Sequence, residues 1–254
     1  MISQSEKKRV ARQLVLPGFG EAGQQRLAQA SVVVIGAGGL GCPLLLSLAG
    51  AGIGEITIVD EDVVSVSNIH RQTLFGVDDA GQPKASLAAQ RLAGLHPEGN
   101  FKAEQTRFCP ENALNIVAGA DMLVDASDNF ATKFLSADVA EITGLPLVWG
   151  TVLRFEGQVG LCRSGAGVSE GVGFRDLCPQ LPPAEFIPDN ASVGVLGATT
   201  AVLGNLMATE VIKFLVGIGD SKPGLLLSYD ALSASLRRAQ ITASNSRQAA
   251  DKLG

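Results

Sequence analysis

The sequence predicts an α/β fold: a Rossmann-like doubly wound, mostly parallel sheet that is extended by antiparallel strands and contained in a single domain. A glycine-rich turn at residues 36–41 stands between an apolar strand and an apolar helix. Apolar strands and helical segments then alternate as far as residue 149, which is typical of a parallel sheet covered on both faces. A hydrophobic fraction of 46% in 254 residues is enough for one large core.

The first unit is a strand, a turn and a helix that together are typical of nucleotide binding. The strand covers residues 31–35 and the turn follows it directly. Without side chains, Gly36, Gly38 and Gly41 let the backbone turn tightly, approach a phosphate and pack helix on strand. A second strand at residues 56–59 leads to Asp60, in the usual place for a carboxylate that hydrogen-bonds a ribose hydroxyl. A purely structural glycine turn is the alternative.

The later elements follow from hydrophobic periodicity. We predict helices at 78–95, 111–119, 129–143 and 193–217, and strands at 101–108, 122–125, 145–149, 157–163 and 224–230. The last two strands differ in character from the earlier ones, which favours antiparallel pairing at one side of the sheet. The predicted organisation is an N-terminal helical segment at 1–30, a main domain at 31–241 with a crossover loop at about 164–192, and a polar tail at 242–254.

Charge and composition limit the classes of partner. A formal net charge of −5 gives no overall basic footprint, so we expect no nucleic-acid partner. Residues 31–54 are uncharged and long enough to span a bilayer, but seven glycines and Pro43 favour a buried strand and helix, so we expect no membrane partner. The first nine residues are polar and basic without an apolar signal region, which favours a cytoplasmic location.

The four cysteines indicate neither a disulfide framework nor a metal site. Cys42, Cys109, Cys162 and Cys178 are scattered, form no CxxC pair and lie far from both histidines in sequence. We interpret them as small buried apolar residues. Cys178 lies in the crossover loop, where a reactive thiol stays an open alternative.

Charged residues that follow two of the predicted strands form the candidate site. Arg71 and Lys84 come after the strand at 56–59, and Asp128 comes after the strand at 122–125. Because parallel strands end at one edge of the sheet, we expect these charges to converge there. The two cations suit phosphate oxygens and the carboxylate suits Mg²⁺. This combination favours ATP over NAD, and an NAD(P)-dependent oxidoreductase is the alternative.

A series of motifs runs through most of the chain. They are Arg12-Gln13, LPGFG at 16–20, GQ at 23–24, GAGGLG at 36–41, DED at 60–62, SNIHRQ at 67–72, GQPK at 81–84, DASDN at 125–129 and RFEGQ at 154–158. In this order and spacing, over roughly residues 8–240, the chain resembles the MoeB/ThiF/HesA branch of the ubiquitin-activating-type adenylating enzymes.

The resemblance implies that ATP is the nucleotide and Mg²⁺ its metal. The glycine loop and Asp60 would hold the nucleoside, Asp128 would hold Mg²⁺, and Arg12 would reach the triphosphate of the other subunit in a homodimer. The phosphates would be held by Asn68, Arg71 and Lys84. The nucleotide-binding candidates are Gly36, Gly38, Gly39, Gly41, Asp60, Asp62, Ser67, Asn68, Arg71, Gln72, Lys84, Asp128 and Asn129; the catalytic candidates are Arg12, Arg71, Lys84 and Asp128.

The reaction that the resemblance implies is the adenylylation of a protein terminus. The C-terminal glycine carboxylate of a MoaD- or ThiS-like ubiquitin-like sulfur carrier, ending in Gly-Gly, would attack the α-phosphate of ATP and release pyrophosphate, for molybdopterin or thiamine synthesis. A terminal carboxylate has a reference pKa of about 3.3–3.7, so this step needs no general base. A sulfurtransferase is a candidate further partner. The open alternatives are a non-catalytic member that binds a carrier, and an enzyme acting on a short peptide, as in microcin-type relatives.

The crossover loop departs from the family's pattern. Many relatives hold a structural zinc with one CxxC pair in this loop and another near the C-terminus, but Gly173 and Asp176 stand at the first pair's positions. We therefore predict a variant without zinc. Some ThiF-type relatives have a loop cysteine that joins the carrier covalently; Asn190 stands at that position, which favours adenylylation without enzyme-bound sulfur transfer.

Overall fold

The structure, a computed structural model, describes residues 2–168, 171–183, 193–244, 250 and 253. Within these residues the chain forms a single mixed sheet. Its strands are β1 Ser31–Ile35, β2 Glu55–Val59, β3 Asn100–Glu104, β4 Met122–Asp125, β5 Leu147–Leu153, β6 Glu156–Cys162, β7 Leu225–Asp230 and β8 Ser235–Gln240.

The sheet order among the described strands is β3-β2-β1-β4-β5-β6-β7-β8. The first five strands in this order pair in parallel, and β6, β7 and β8 continue the sheet in antiparallel pairing. This is the mixed architecture that the sequence predicts, so the predicted fold class is confirmed. The neighbours β1 and β4 form the point at which the strand order reverses.

Helices cover both faces of the sheet. They are α1 Gln4–Arg9, α2 Ala11–Leu14, α3 Gly20–Gln29, α4 Gly41–Ala51, α5 Lys84–Leu95, α6 Ala113–Ile116, α7 Phe130–Thr143, α8 Phe174–Leu177 and α9 Gly197–Val216. Strand β1 shows why two layers are needed, because Val32 and Val34 face the core under α4, α5 and α9, whereas Val33 and Ile35 face the core under α7. A strand that is apolar on both faces requires cover on both.

Helix α9 packs closely against α4. A side chain at Gly204 would collide with the Leu40 carbonyl and with Pro43, so glycine is required at this contact. By length and composition, α9 is the one helix among the described residues that is apolar enough to cross a bilayer, and 50% of its apolar window is buried inside the structure. That burial is typical of a core helix.

Some predicted boundaries are wrong. The helix predicted at 78–95 begins only at Lys84, because residues Val77–Asp79 form a 3₁₀ turn and Gly81 has a φ of +86°, which does not continue a helix. The helix predicted from residue 193 begins at Gly197, and the strand predicted at 101–108 ends at Glu104. Strand β5 continues beyond Trp149 to Leu153.

Strand β8 was not predicted, because five of its six residues are exposed and it lacks an apolar face. It precedes the predicted tail at 242–254, of which residues 245–249, 251–252 and 254 lie outside the described residues. Residues 169–170 and 184–192 of the predicted crossover loop also lie outside them.

A polar network holds α1 and α3 against the C-terminal end of α4. Buried Glu6 accepts hydrogen bonds of 2.6 and 2.7 Å from Arg9, which also donates to the Gly50 carbonyl at 2.8 Å. Gln24 donates to the Ala51 carbonyl at 2.9 Å. The last carbonyls of a helix lack partners within it, so these donors stabilise the end of α4.

His96 makes this network sensitive to pH. Its Nε2 lies 3.6 Å from the Glu6 carboxylate, and the ring is buried. Burial, reinforced by the positive charge of Arg9, lowers the pKa of His96 against the opposing effect of Glu6 and Glu98. A histidine with a lower pKa in the folded state binds protons more readily when unfolded, so stability is lost as pH falls below about 6.5.

We expect the free energy of unfolding to fall between about pH 7.5 and 5.5, in the range where an unfolded histidine takes up its proton, and to fall less in His96→Gln. Urea titrations at both pH values measure the difference. The pKa of Glu6 is lowered by Arg9 from 4.5, so that carboxyl contributes only at lower pH. His70→Gln changes an exposed histidine and should keep the wild-type dependence. Equal pH dependence in His96→Gln and wild type would contradict the assignment.

Candidate functional site

The candidate site lies at the carboxyl ends of β1 and β4, where the strand order reverses and α/β proteins bind ligands. Gly36 follows β1 with a φ of +92°, and a Cβ there would lie 3.1 Å from the Ala126 carbonyl oxygen at the end of β4. A side chain at Gly41 would collide with the Gly36 carbonyl. The absence of a side chain at Gly41 lets the glycine loop turn tightly, and its absence at Gly36 lets that loop approach the loop after β4.

The glycine loop offers backbone donors at the start of α4. The N–H groups of Gly38 and Gly39 donate to no acceptor within the described part of the chain. A Cβ at Gly39 would lie 3.3 Å from the Cδ of Arg71, and one at Gly38 would lie 3.7 Å from the Nε2 of Gln72. A loop with unpaired N–H groups at a helix N-terminus is suited to anionic oxygens.

Asp60 fixes this loop. Its carboxylate accepts one hydrogen bond from the Ala37 N–H at 2.7 Å and another from the Asp62 N–H at 2.8 Å. Burial raises the pKa of Asp60 despite these bonds. Each carboxylate oxygen keeps a lone pair for a further donor, such as a ribose hydroxyl.

Lys84 stands at the first position of α5 and pairs with Asp62. Its Nζ lies 2.8 Å from the Asp62 carboxylate, and its backbone N–H donates to the Asp62 carbonyl at 3.0 Å. The Lys84 side chain is only 5% exposed, whereas that of Asp62 is 65% exposed. The ammonium group is thus held in place, while its carboxylate partner remains open to solvent.

Arg71 lies above the glycine loop in the segment that follows the 3₁₀ turn Val66–Asn68. Its guanidinium donates to the Asn68 side-chain oxygen at 3.0 Å and contacts His70 Nε2 at 2.8 Å. Ser67 bonds Ser65 through their hydroxyls at 3.0 Å. These contacts leave guanidinium donors unused, because arginine has five.

Gln72 is buried beside the glycine loop. Its side-chain Oε1 has no hydrogen-bond partner within the described residues. Buried polar atoms are normally paired, so this oxygen is suited to a donor on a bound molecule.

A buried ion pair supports the end of β4. Asp125 is fully buried and accepts hydrogen bonds from the Ser127 N–H at 2.9 Å and hydroxyl at 2.6 Å. The Nζ of Lys133 lies 3.3 Å from Asp125 and donates to the carbonyls of Ser127 and Gly150. Lys133 was missed by the sequence analysis; its signal is a lysine on the buried face of α7, eight residues after Asp125.

Asp128 and Asn129 lie on the exposed loop between β4 and α7. Asn129 accepts the Thr132 N–H at 2.8 Å and so caps α7. Asp128 brings a carboxylate to the same sheet edge as the glycine loop. Carboxylate oxygens are ligands that Mg²⁺ prefers, so the residue fits the metal by chemistry.

Arg12 is the predicted residue that the fold does not bring to this edge. It is exposed on α2, beside Gln13, which donates to the Ala51 carbonyl at the C-terminal end of α4. The glycine loop lies at the other end of α4, which has 11 residues and so is about 16 Å long. Arg12 thus lies remote from the site of its own chain.

The loop positions compared with zinc ligands form hydrogen bonds instead. Asp176 accepts the Gly173 N–H at 2.8 Å and the Ser244 N–H at 2.7 Å. Cys162 is buried, and burial raises the pKa of the Cys178 thiol. No group of three metal-ligating side chains occurs within the described residues. Asn190 lies outside them.

Residues 10–250 match the ThiF family. The chain belongs to the ThiF family. It is 46% identical to the sulfur carrier protein adenylyltransferase of Thermus thermophilus, covering 93% of this chain and 88% of that protein. It is 42% identical to the SAMP-activating enzyme E1 of Haloferax volcanii, covering 88% and 81%. It is 44% identical to the probable adenylyltransferase/sulfurtransferase MoeZ of Mycobacterium tuberculosis, of which the chain spans 60%.

Solved structures share the fold. The crystal structure of E. coli MccB with MccA-N7isoASN superposes with a TM-score of 0.81 at 20% identity, covering 98% of this chain and 75% of that one. The crystal structure of PaaA gives 0.79 at 20% identity, covering 96% and 76%. The match of residues 10–250 to the ThiF family confirms the family predicted from the motifs.

We expect Lys133→Met to lower the free energy of unfolding by about 3–5 kcal/mol, because it leaves the Asp125 carboxylate buried without a counter-charge. The double variant Asp125→Asn/Lys133→Met should recover much of the loss. Urea titration measures both. Lys222→Met, at an exposed lysine, should change stability by no more than about 0.5 kcal/mol. An equally small effect at Lys133 would show that the pair is not needed.

Proposed function

We propose that this chain is an adenylyltransferase that uses ATP to adenylylate the C-terminal glycine carboxylate of a ubiquitin-like sulfur carrier, with release of pyrophosphate. The observation that carries the proposal is the 46% identity, over 93% of this chain, to a protein named as a sulfur carrier protein adenylyltransferase. The geometry supports it, because Arg71 lies against a glycine loop whose Gly38 and Gly39 N–H groups are unpaired within the described residues. Lys84 pairs with Asp62, whose N–H is bonded to the same Asp60 carboxylate that holds the loop.

The residues fit a nucleoside triphosphate. The glycine loop permits close approach of phosphate, the Asp60 carboxylate can accept from ribose hydroxyls, and Asp128 would hold Mg²⁺. When bound, Mg²⁺ would neutralise phosphate charge. Lys84 can exchange Asp62 for a phosphate oxygen, because the Asp62 side chain is 65% exposed and is hydrated by solvent when it is released.

The chemistry needs positioning and charge neutralisation. The carrier's terminal carboxylate is ionised at neutral pH, so it attacks without a base. The obstacle is repulsion between that carboxylate and the polyphosphate, and the guanidinium of Arg71 and ammonium of Lys84 reduce it. The bond from the α-phosphorus to the bridging oxygen breaks as the acyl phosphate bond forms, and pyrophosphate leaves.

We expect Lys84→Met and Arg71→Gln each to lower carrier-dependent exchange of pyrophosphate into ATP by about 10²-fold or more, the scale for losing one preorganised charge at the reacting group. Both variants should keep the wild-type circular dichroism, because Lys84→Met keeps the buried stem and leaves only exposed Asp62 unpaired. Lys222→Met is the matched control and should retain full activity. Near-normal exchange in both site variants would refute these roles.

A homodimer is part of the proposal. Arg12 lies remote from its own site, and its neighbours Val15 and Leu16 are 75% and 51% exposed, as expected of residues that a second subunit covers. In a two-fold dimer, Arg12 of each subunit would complete the other's site. We further propose that a separate cytoplasmic sulfurtransferase supplies sulfur to the adenylylated carrier. The carrier would serve molybdopterin or thiamine synthesis.

Mixing Arg12→Ala with Lys84→Met, each inactive alone, should restore carrier-dependent pyrophosphate exchange. In the mixed dimer one site receives both wild-type residues and the other receives neither, so about a quarter of wild-type activity is expected at equal, statistical mixing. Subunit exchange is verified by native mass spectrometry. Absence of recovery in verified mixed dimers would show that Arg12 does not act in trans.

We also propose that no structural zinc is bound, because Asp176 joins Gly173 to Ser244 by hydrogen bonds where relatives use metal. Elemental analysis of purified protein should find well below one zinc per chain, and a chelator should leave the Tm unchanged. Stoichiometric zinc that survives dialysis would show the opposite.

A further inference from the structure

The turn between β5 and β6 contains an unusual backbone conformation. Leu153 pairs with Glu156, so Arg154 and Phe155 alone form the turn. Arg154 has a φ of 54°, one of two positive values among the described non-glycine residues. This region disfavours residues with a side chain, and glycine is the usual choice there in a two-residue hairpin turn.

The turn is fastened to the edge of the candidate site. The Arg154 N–H donates to the Gly194 carbonyl at 3.1 Å, and its carbonyl accepts from the Leu196 N–H at 3.0 Å. The next residue, Gly197, packs so closely on the segment of Arg71 that a Cβ would collide with the His70 carbonyl oxygen and lie 3.4 Å from the Arg71 Cα. Two backbone contacts thus connect Arg154 to Arg71.

The Arg154 side chain does nothing for the fold. It is exposed and makes no hydrogen bond or ion pair with the part of the chain that the structure describes. Some other arginines are held by carboxylates, as Arg175 is by Asp138 at 2.7 Å and Arg91 is by Asp79 at 2.6 Å. An arginine that has no partner among the described residues and stands at a position that favours glycine strains the turn. Such strain is typical of sites that bind a ligand.

A carrier tail that approaches the glycine loop alongside β5 would pass this turn. Trp149 of β5 pairs with Asp125 at the sheet edge, and Arg154 follows five residues later, about 16 Å beyond that edge. An extended peptide covers this distance in about five residues. A tail that lies alongside β5 with its last carboxylate at the glycine loop would therefore pass Arg154 about five residues before its end.

We propose that Arg154 is a substrate-recognition residue whose guanidinium donates hydrogen bonds to backbone carbonyl oxygens of the carrier's extended tail, upstream of the terminal glycine. The inference rests on the proposed function. The planar group has donors in a fixed fork, which suits successive acceptors along a strand and tolerates different tail sequences. It acts on carrier binding and does not contact the triphosphate.

The test replaces Arg154 by glycine. Arg154→Gly removes the guanidinium and the strain together, so the Tm should rise by about 2–4 °C while the KM for the carrier rises about 10-fold or more, the scale of a charged hydrogen bond. The KM for ATP should not change. The probe is a purified ubiquitin-like carrier ending in Gly-Gly for which the wild type shows carrier-dependent pyrophosphate exchange.

Ala234 gives a matched control, since its φ is 51° in the turn between β7 and β8. Ala234→Gly should raise the Tm similarly and leave both KM values unchanged. Asparagine also tolerates this conformation, so Arg154→Asn should show the same higher KM for the carrier. Arg154→Lys should keep part of the affinity for the carrier. An unchanged carrier KM in Arg154→Gly and Arg154→Asn, with an active wild type, would overturn the inference. A wild type inactive with every such carrier would overturn the proposed function itself.

Discussion

The site depends on the hydrogen bonds that the Asp60 carboxylate accepts from two backbone N–H groups. It binds the Ala37 N–H in the glycine loop and the Asp62 N–H after β2, and Asp62 in turn pairs with Lys84 at the start of α5. One side chain thereby sets the loop that would carry phosphate and the cation that would neutralise it. Because Asp60 is partly buried, the positions of the glycine loop and of Lys84 both depend on the packing of β1 and β2. The same burial explains why the Asp60 charge needs two backbone donors.

The site holds two buried lysines whose carboxylate partners differ in exposure. Lys133 and Asp125 are both buried, and their pairing fixes the loop after β4 at the cost of placing two ions in the core. Lys84 is also buried, but its partner Asp62 is 65% exposed. In the proposed function, Lys84 binds phosphate because an incoming anion can replace this exposed partner, whereas Lys133 has only a structural role.

The sequence predicts most of the sheet because its strands are apolar on both faces. The strand at 122–125 is predicted with its observed bounds, since each of its residues is buried. Exposed β8 carries no such signal. The convergence of Arg71 and Lys84 on the glycine loop follows from topology. The role of Lys133 could not be predicted from topology. Its ammonium group donates to the backbone carbonyls of Ser127 and Gly150, which only the fold brings together.

Helix α4 links the two ends of the proposed assembly. Its N-terminus supplies the glycine loop, and its C-terminal carbonyls at Gly50 and Ala51 hold the N-terminal helices through Arg9 and Gln24. Because α4 is closely packed, it does not bend easily. The position of α2 relative to the glycine loop is therefore fixed within one chain. Arg12 consequently stays about one helix length from its own loop. A role for it in phosphate binding would therefore require the surface of a second subunit, and the proposed chemistry would then depend on assembly.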